Sequence, residues 1–451
     1  MRGIEGALFA LQGAREGRFV SETLRALGDR GEIALRELSL ASSLAYAAVR
    51  REALWQEMFG AYIGKSRTGK LKLAPVVSDC LLLGAAGLLE LQTFAGGALV
   101  NGLLEILKNK GQAKAVPMVN AILRNIARDG ESTLEKLRNS PKQDERALWA
   151  GVPVWSLPAW RKTWGNEELT KLFDLTRLPP RASLRTPPGQ RDELLALLEA
   201  ASLEGVPSDL FPDSIRLPGT VLPPLVPGFD RGLATVQTES SMLAASAIAE
   251  FGEKTGGLIL DMCSGRGVKA GQIAQALAAS RPSPRLECWE ISSGRHRAAA
   301  REMERLGTRD SVTLRLGNAL SLEPAERPSV VFLDAPCSGS GTWNRKPESK
   351  WRLNWAKLDQ MGELQRALLR RALSLTAPGG VIIYITCSLL RQENENVVAD
   401  ILSEKPEGVV LELPWTGSHT RRGRPWGTYI WPILPWLDGF YAAVIMKRAE
   451  V

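Results

Sequence analysis

Two cysteines stand where chemistry is expected more than packing. Cys337 lies in Asp334-Ala335-Pro336-Cys337-Ser338-Gly339, and Cys387 in Thr386-Cys387-Ser388. Each closes an apolar run (330–333 and 381–385) and is followed by small polar residues. A thiol near a cation such as Lys269 is biased toward thiolate, the nucleophilic form. One reaction suits such a thiol well. Carbon 5 of cytosine is too weak a nucleophile to accept a methyl group unaided. Thiolate addition at carbon 6 turns the ring into an enamine, and a proton or hydrogen bond at N3 from an acidic side chain assists. The carbon 5 proton must then leave so that the thiol can be eliminated. Cys80 and Cys288 read differently. The first falls on an apolar helical stripe and the second mid-strand, where cysteine serves as a small hydrophobe.

A second constellation is Asp261-Met262-Cys263-Ser264-Gly265-Arg266-Gly267-Val268-Lys269. Gly265 and Gly267 permit a tight turn and close backbone approach before a helix opens at Val268. The loop lacks the Gly-Lys-Ser/Thr of a phosphate-binding Walker loop and is not Gly-x-Gly-x-x-Gly. Glu290, at the end of the next apolar run, can accept both hydrogen bonds of a ribose diol. These features fit NAD and S-adenosylmethionine equally.

The elements that must hold these residues are legible as alternation. Apolar runs at 258–260, 286–291, 330–333 and 381–385 read as buried parallel strands, with helices at 268–279, 295–306 and 357–375 between them. That pattern predicts a doubly wound sheet with its ligands at the carboxyl ends of the strands, and it makes the two cysteine-bearing strands neighbours. Residues 1–130 read as all helix, through stripes such as Val119, Ile122, Leu123 and Ile126. Gly111 and Gly130 are expected at helix ends. Residues 131–180 read as a helical linker. The Pro-rich stretch that follows, 181–234, reads as a small α/β unit with a strand near 183–186 and a helix at 191–201. Residues 235–451 form the alternating domain.

Composition bounds the function. The chain has 451 residues, 57 Lys+Arg against 49 Asp+Glu, 5 Cys and 2 His, with 44% hydrophobic and 24% charged residues. This is the balance of a multidomain globular protein. No window carries the ~18 uncharged apolar residues of a membrane helix. The charged N-terminus argues against a secretory signal, and five scattered cysteines do not form a disulfide framework, so a cytoplasmic setting is expected. With only His296 and His419, a His-rich metal site or a Ser-His-Asp triad has little to draw on, and no metal is expected. Net charge is +5 over 1–130, −2 over 131–240 and +5 over 241–451, a distribution suited to a polyanion held by two modules.

The two cysteine motifs, with Glu393-Asn394-Glu395 after the second, resemble those of RNA 5-methylcytosine methyltransferases of the Sun/RsmB type in the NOL/NOP/Sun family. Residues 261–269 resemble that family's S-adenosylmethionine loop. Gln237, Glu239 and Ser240 resemble the opening of its catalytic domain, and Asp438-Gly439-Phe440-Tyr441 its last strand. Val100-Asn101 and Asn120-Ala121-Ile122-Leu123-Arg124 resemble the NusB-type helical RNA-binding domain that such members carry. The resemblance implies a NusB-like all-α bundle, a small α/β RNA-binding unit and a Rossmann-like methyltransferase domain. Its substrate would be ribosomal RNA, small-subunit more than transfer RNA, and a monomer is expected. It also implies roles: Cys387 as the nucleophile, Cys337 resolving the adduct, Asp334 at the cytosine N3 edge and the methionine end of the cofactor, and Lys269 polarising the site. Cys263, Ser264, Gly265, Arg266, Gly267, Val268 and Lys269 would cradle the methionine part, Glu290 the ribose and Asn318 the adenine.

The chain departs from the family pattern at four places. Arg266 stands for a usual Pro, Asn318 for an Asp, Leu157 for a His and Thr238 for an Asp. Asn318 and the altered loop keep open a second reading, a non-catalytic NusB-like RNA-binding or ribosome-assembly factor. A transfer RNA methyltransferase is a third. A DNA 5-methylcytosine enzyme is disfavoured, since that class uses the Pro-Cys alone. Trp343, Arg345, Lys346, Lys350, Trp351 and Arg352 interleave basic and aromatic residues after Cys337 and are expected to contact RNA.

Overall fold

The computed structural model describes residues 2–63, 65–66, 69–70, 73–91, 96–280, 285–413, 415, 417–432 and 435–449. The chain divides into two units: residues 1–178 with 343–352, and residues 179–342 with 353–451. Among the described residues no helix is long and apolar enough to cross a membrane.

The first unit is helical: α1 (Gly3–Arg15), α2 (Val20–Asp29), α3 (Leu35–Arg50), α4 (Glu52–Gly60), α5 (Pro75–Glu90), α6 (Gly96–Asn109), α7 (Val116–Arg138), α8 (Gln143–Ala150) and α9 (Leu157–Arg177). The stripe of α7 does what its spacing requires, since Val119, Ile122, Leu123 and Ile126 are all buried. Cys80 lies fully buried within α5. Gly111 takes a left-handed conformation just past α6, as a helix stop should. Gly130 does not end a helix; it sits inside α7. A Cβ there would meet Leu89 at 2.7 Å, so the glycine serves close helix packing.

Residues 343–352 correct an expectation. Trp343 is buried, with its ring 5.2 Å from Trp160 and 6.2 Å from Trp155. Lys350 is also fully buried. Trp351 donates its indole N–H to the carbonyl of Val49 (2.6 Å), and Arg352 donates to the carbonyls of Ala14 (2.8 Å) and Gly17 (2.9 Å). Aromatic faces packed on helices cannot stack on bases, so Trp343 and Lys350 are structural. Only Lys346 of the basic residues in this run is exposed.

The second unit begins with a small antiparallel sheet. Its strands are β1 (Ser183–Arg185), β2 (Val206–Pro207), β3 (Ser214–Arg216) and β4 (Thr235–Val236), in the order β2-β3-β1-β4. Helix α10 (Arg191–Ala200) covers it through Leu194 and Leu198, against Leu184 and Ile215.

The larger sheet follows with its helices: α11 (Glu239–Thr255), β5 (Ile259–Asp261), α12 (Val268–Ser280), β6 (Leu286–Glu290), α13 (Ser293–Arg305), β7 (Val312–Leu316) and β8 (Val330–Asp334). Next come α14 (Trp355–Leu375), β9 (Val381–Thr386), α15 (Glu395–Glu404), β10 (Gly408–Leu411), β11 (Thr420–Arg422), β12 (Thr428–Ile430) and β13 (Phe440–Lys447). The order is β11-β12-β13-β9-β8-β5-β6-β7, with β10 also on β13. Strands β5 to β9 run parallel, and β13 is antiparallel to β9. Strand order reverses between β5 and β8. A ligand of such a sheet binds in the crevice outside the carboxyl ends at that point.

Candidate active site

The glycine-rich loop leaves β5 and turns under tight backbone control. The Ser264 N–H donates to the carbonyl of Trp289 on β6 (2.9 Å), and the Gly267 N–H to Ser264 O (3.0 Å). Gly265 and Gly267 have φ of +60° and +83°, in the left-handed region that glycine occupies without strain. They serve different ends. A Cβ on Gly267 would meet Met303 Cε at 2.9 Å and Ala299 Cβ at 3.1 Å, so this glycine lets the loop lie against α13. A Cβ on Gly265 would meet nothing within 4 Å, so the backbone there opens onto free space. Arg266 is exposed at the tip, Cys263 is half-buried, and Val268 opens α12.

Four polar side chains lie at or just beyond the carboxyl ends of strands β5, β6, β7 and β8. Glu290 ends β6, nearly buried, and its Oε1 accepts from Ser292 N (2.7 Å) and from Arg295 Nε (3.0 Å) and Nη2 (2.7 Å). Asn318 follows β7, exposed, its carbonyl accepting from Leu320 N (3.0 Å). Asp334 ends β8 and accepts from the Lys269 ammonium at 2.7 Å. Asp261, buried at the end of β5, accepts from Cys263 N (3.2 Å). Burial, with Asp334 adding repulsion, pushes the Asp261 carboxyl up to about 7. Burial works against charge on Lys269, but the Asp334 carboxylate and its hydrogen bond outweigh it and hold the ammonium above its usual range.

Strands β8 and β9 are adjacent, with Asp334 opposite Ile385, so their carboxyl ends carry both cysteines to one place. The Cys337 and Cys387 sulfurs lie 3.2 Å apart. The loops beyond them are laced together: Ala335 N donates to Ile385 O (2.9 Å) and Gly341 N to Cys387 O (3.0 Å). The contact with Cys387 and burial raise the Cys337 thiol well above its ordinary value. Two thiols in contact cannot both ionise cheaply, so the pair keeps at least one proton. The arrangement thus offers one nucleophilic sulfur, one thiol proton beside it, and a carboxylate–ammonium pair on the neighbouring strand and helix. Burial raises Cys263 and Cys288, and these two are not part of the thiol pair.

Residues 250–446 match the family model described as 16S rRNA methyltransferase RsmB/F, and residues 6–128 match the NusB family. The catalytic stretch is similar to the RsmB/F methyltransferases, and the front of the chain to the NusB family. It is 25% identical over 393 residues to the probable ribosomal RNA small subunit methyltransferase B of Bacillus subtilis, covering 85% of this chain and 84% of that protein. It is 27% identical over 448 residues to ribosomal RNA small subunit methyltransferase B of Klebsiella pneumoniae, covering 97% and 96%. Among solved structures, PH0851 superposes with a TM-score of 0.80 at 21% identity, covering 99% of this chain and 98% of that one, which shows the shared fold.

Sequence reasoning named Asp261 and Glu393 within their motifs but gave neither a role of its own. Asp261 ends a strand as many residues do, and only its enclosure distinguishes it. Glu393 was legible as part of a motif, yet its partners come from three separate stretches of chain.

Proposed function

We propose that the protein transfers a methyl group from S-adenosylmethionine to carbon 5 of a cytosine in small-subunit ribosomal RNA, through a covalent bond between Cys387 and carbon 6. The observation that carries this reading is the pair of thiols 3.2 Å apart at the carboxyl ends of two adjacent parallel strands. The residues present suit the cofactor. The open backbone at Gly265 and the flanking Cys263, Ser264, Arg266, Gly267, Val268 and Lys269 would take its methionine end, Glu290 its ribose and Asn318 its adenine. Bound there, it supplies the methyl group as an electrophile.

The protein's own groups do the rest. Cys387, as thiolate, adds to carbon 6 and leaves carbon 5 nucleophilic. Lys269 donates to Asp334 at 2.7 Å, and a proton relayed through this pair to N3 assists as charge develops on the ring. After methyl transfer the carbon 5 proton passes to water, its C–H electron pair re-forms the 5,6 double bond, and the carbon 6–sulfur bond breaks, the departing Cys387 sulfur taking a proton from the Cys337 thiol beside it. Neither histidine of the chain is needed. The NusB-family match over residues 6–128 supports an RNA substrate, and the family description supports ribosomal RNA. The domain division at about 130, 180 and 234 is proposed on the same footing, as is action by a single copy of the chain in the cytoplasm.

Bisulfite mapping of ribosomal RNA from cells carrying Cys387→Ala tests the reading. One cytosine is expected to lose its methyl group, and unchanged methylation at every cytosine overturns the proposal. Cys337→Ala is expected to accumulate protein covalently bound to RNA, seen as a slow band on a denaturing gel. If Cys387→Ala gives that band instead, the two roles are reversed.

A further inference from the structure

Glu393 lies in the short turn between β9 and α15 and is fully buried. Its carboxylate receives four hydrogen bonds. Oε1 accepts from the Ser338 N–H (2.7 Å) and from Gln365 Nε2 (3.1 Å), and Oε2 accepts from the hydroxyls of Ser388 (2.5 Å) and Ser338. Among the described residues no Lys or Arg pairs with it. Enclosing an anion without a cation is costly, and four donors are what make it tolerable.

The identity of the donors gives the arrangement its meaning. Ser338 directly follows Cys337, and Ser388 directly follows Cys387. One carboxylate therefore holds the residue after each cysteine. The same network continues outward. Gln365 of α14 also donates to Pro336 O (2.8 Å), the carbonyl just before Cys337. The Ser388 hydroxyl lies 3.0 Å from that of Ser340, which accepts from Leu389 N (2.8 Å). No apolar residue could replace Glu393 here, because the loops would lose their common acceptor. A glutamine would present an NH₂ to one pair of donors.

We propose that Glu393 is a positioning residue for methyl transfer: by accepting from Ser338 and Ser388 together, it fixes the separation and aim of the Cys337 and Cys387 sulfurs. It touches neither thiol through a hydrogen bond and positions them through the two loops. Its negative charge, lying close to Cys337, also opposes a second thiolate, in keeping with a protonated Cys337. The inference rests on the two-cysteine reading above, and its test separates the two.

The test uses Glu393→Gln in the full chain, with Ser338→Ala as a milder variant that keeps the backbone bond to Glu393. First, thiol proximity is read without any reaction on RNA. The protein is treated with diamide, and formation of the Cys337–Cys387 disulfide is followed by peptide mass spectrometry. Disulfide formation about tenfold slower than in the unaltered protein is expected for Glu393→Gln, with Ser338→Ala between. Second, methyl transfer to ribosomal RNA is measured. A fall of about 100-fold in kcat is expected, with KM for RNA and calorimetric S-adenosylmethionine affinity held within about threefold. Unchanged disulfide rates in both variants overturn the positioning role. So does a parallel loss of cofactor affinity, which would make Glu393 a residue of the fold alone. Failure of the two-cysteine reading looks different: Cys387→Ala would keep its methyl transfer while the diamide result still stood. If Glu393→Gln does not fold, the graded effect of Ser338→Ala on disulfide rate and kcat decides.

Discussion

Glu393 and Lys350 are both fully buried charged residues, one in each unit of the chain. They are treated in opposite ways. Glu393 meets four donors. Lys350 finds no hydrogen-bond acceptor for its Nζ among the described residues, although it lies near Glu90 and Glu348, with Arg50 and Arg51 as well. Burial, together with those two arginines, drives the Lys350 ammonium well below its ordinary range. The difference teaches where the molecule invests polar geometry. In the catalytic unit burial raises the Glu393 carboxyl, but the donors from Ser338, Ser388 and Gln365 oppose that rise, and the carboxyl joins the loops that follow the two cysteines. In the helical unit a long side chain fills space beside Trp351, its Nζ 5.1 Å from the ring, and its charge is a liability.

The comparison breaks most visibly at Glu393. Replacing it with leucine removes one acceptor and strands four donors in the interior. The expected loss is about 3–5 kcal/mol, the cost of leaving buried polar groups unpaired. Chemical denaturation, followed by tryptophan emission, should show the catalytic unit unfolding at lower denaturant. A variant as stable as the unaltered chain would mean that water replaces the carboxylate and that the network is not tight.

Lys350→Met sharpens the other side, with a smaller effect of opposite sign. Methionine fills similar volume without an amine to desolvate, so a gain of about 1–3 kcal/mol is expected. The pH dependence should change with it. Below its unfolded value of 10.5, an ammonium whose folded pKa is depressed binds fewer protons folded than unfolded. Stability contributed this way rises with pH. The unaltered chain should therefore gain stability with rising pH at alkaline values, and Lys350→Met should flatten that rise. A lower melting point in the variant would show that Lys350 is charged and paired in solution.

These contrasts also explain what the sequence could and could not reveal. Strand β8 and strand β9 are apolar on both faces, so their runs and the cysteines closing them were plain. Strand β7 was not named among the strands, because only Val312 of its five residues is buried and Arg315 interrupts it. The run from Trp343 to Arg352 carries the same letters whether its rings stack on bases or pack on helices. Burial by Trp155 and Trp160, nearly two hundred residues away, cannot be read from spacing. Glu393 draws on Ser338, Gln365 and Ser388 in the same way. A motif marked it, but only the joining of β8, α14 and β9 shows what it bonds. Gly130 failed as a helix stop because a glycine that ends a helix and one that admits Leu89 are the same letter.

Asp261 gives the smallest and most specific test, since it lies between the two extremes. It is as enclosed as Glu393, yet among the described residues its one hydrogen bond is from Cys263 N, and its carboxyl is pushed up to about 7. Between its unfolded value of 3.8 and about 7, the folded chain holds a proton that the unfolded chain has lost. The folded state binds more protons across that window, so this group's contribution to stability falls as pH rises from about 4 to 7. That is opposite in sign to Lys350. Asn at this position keeps the oxygen that accepts from Cys263 and removes the ionisation. Asp261→Asn should leave stability near pH 4 almost unchanged and abolish its fall toward pH 7, as read from denaturation midpoints across that range. An unaltered pH profile would mean that Asp261 is ionised throughout, its charge met by Lys269 across the site, and that the catalytic unit tolerates an anion with fewer partners than Glu393 has.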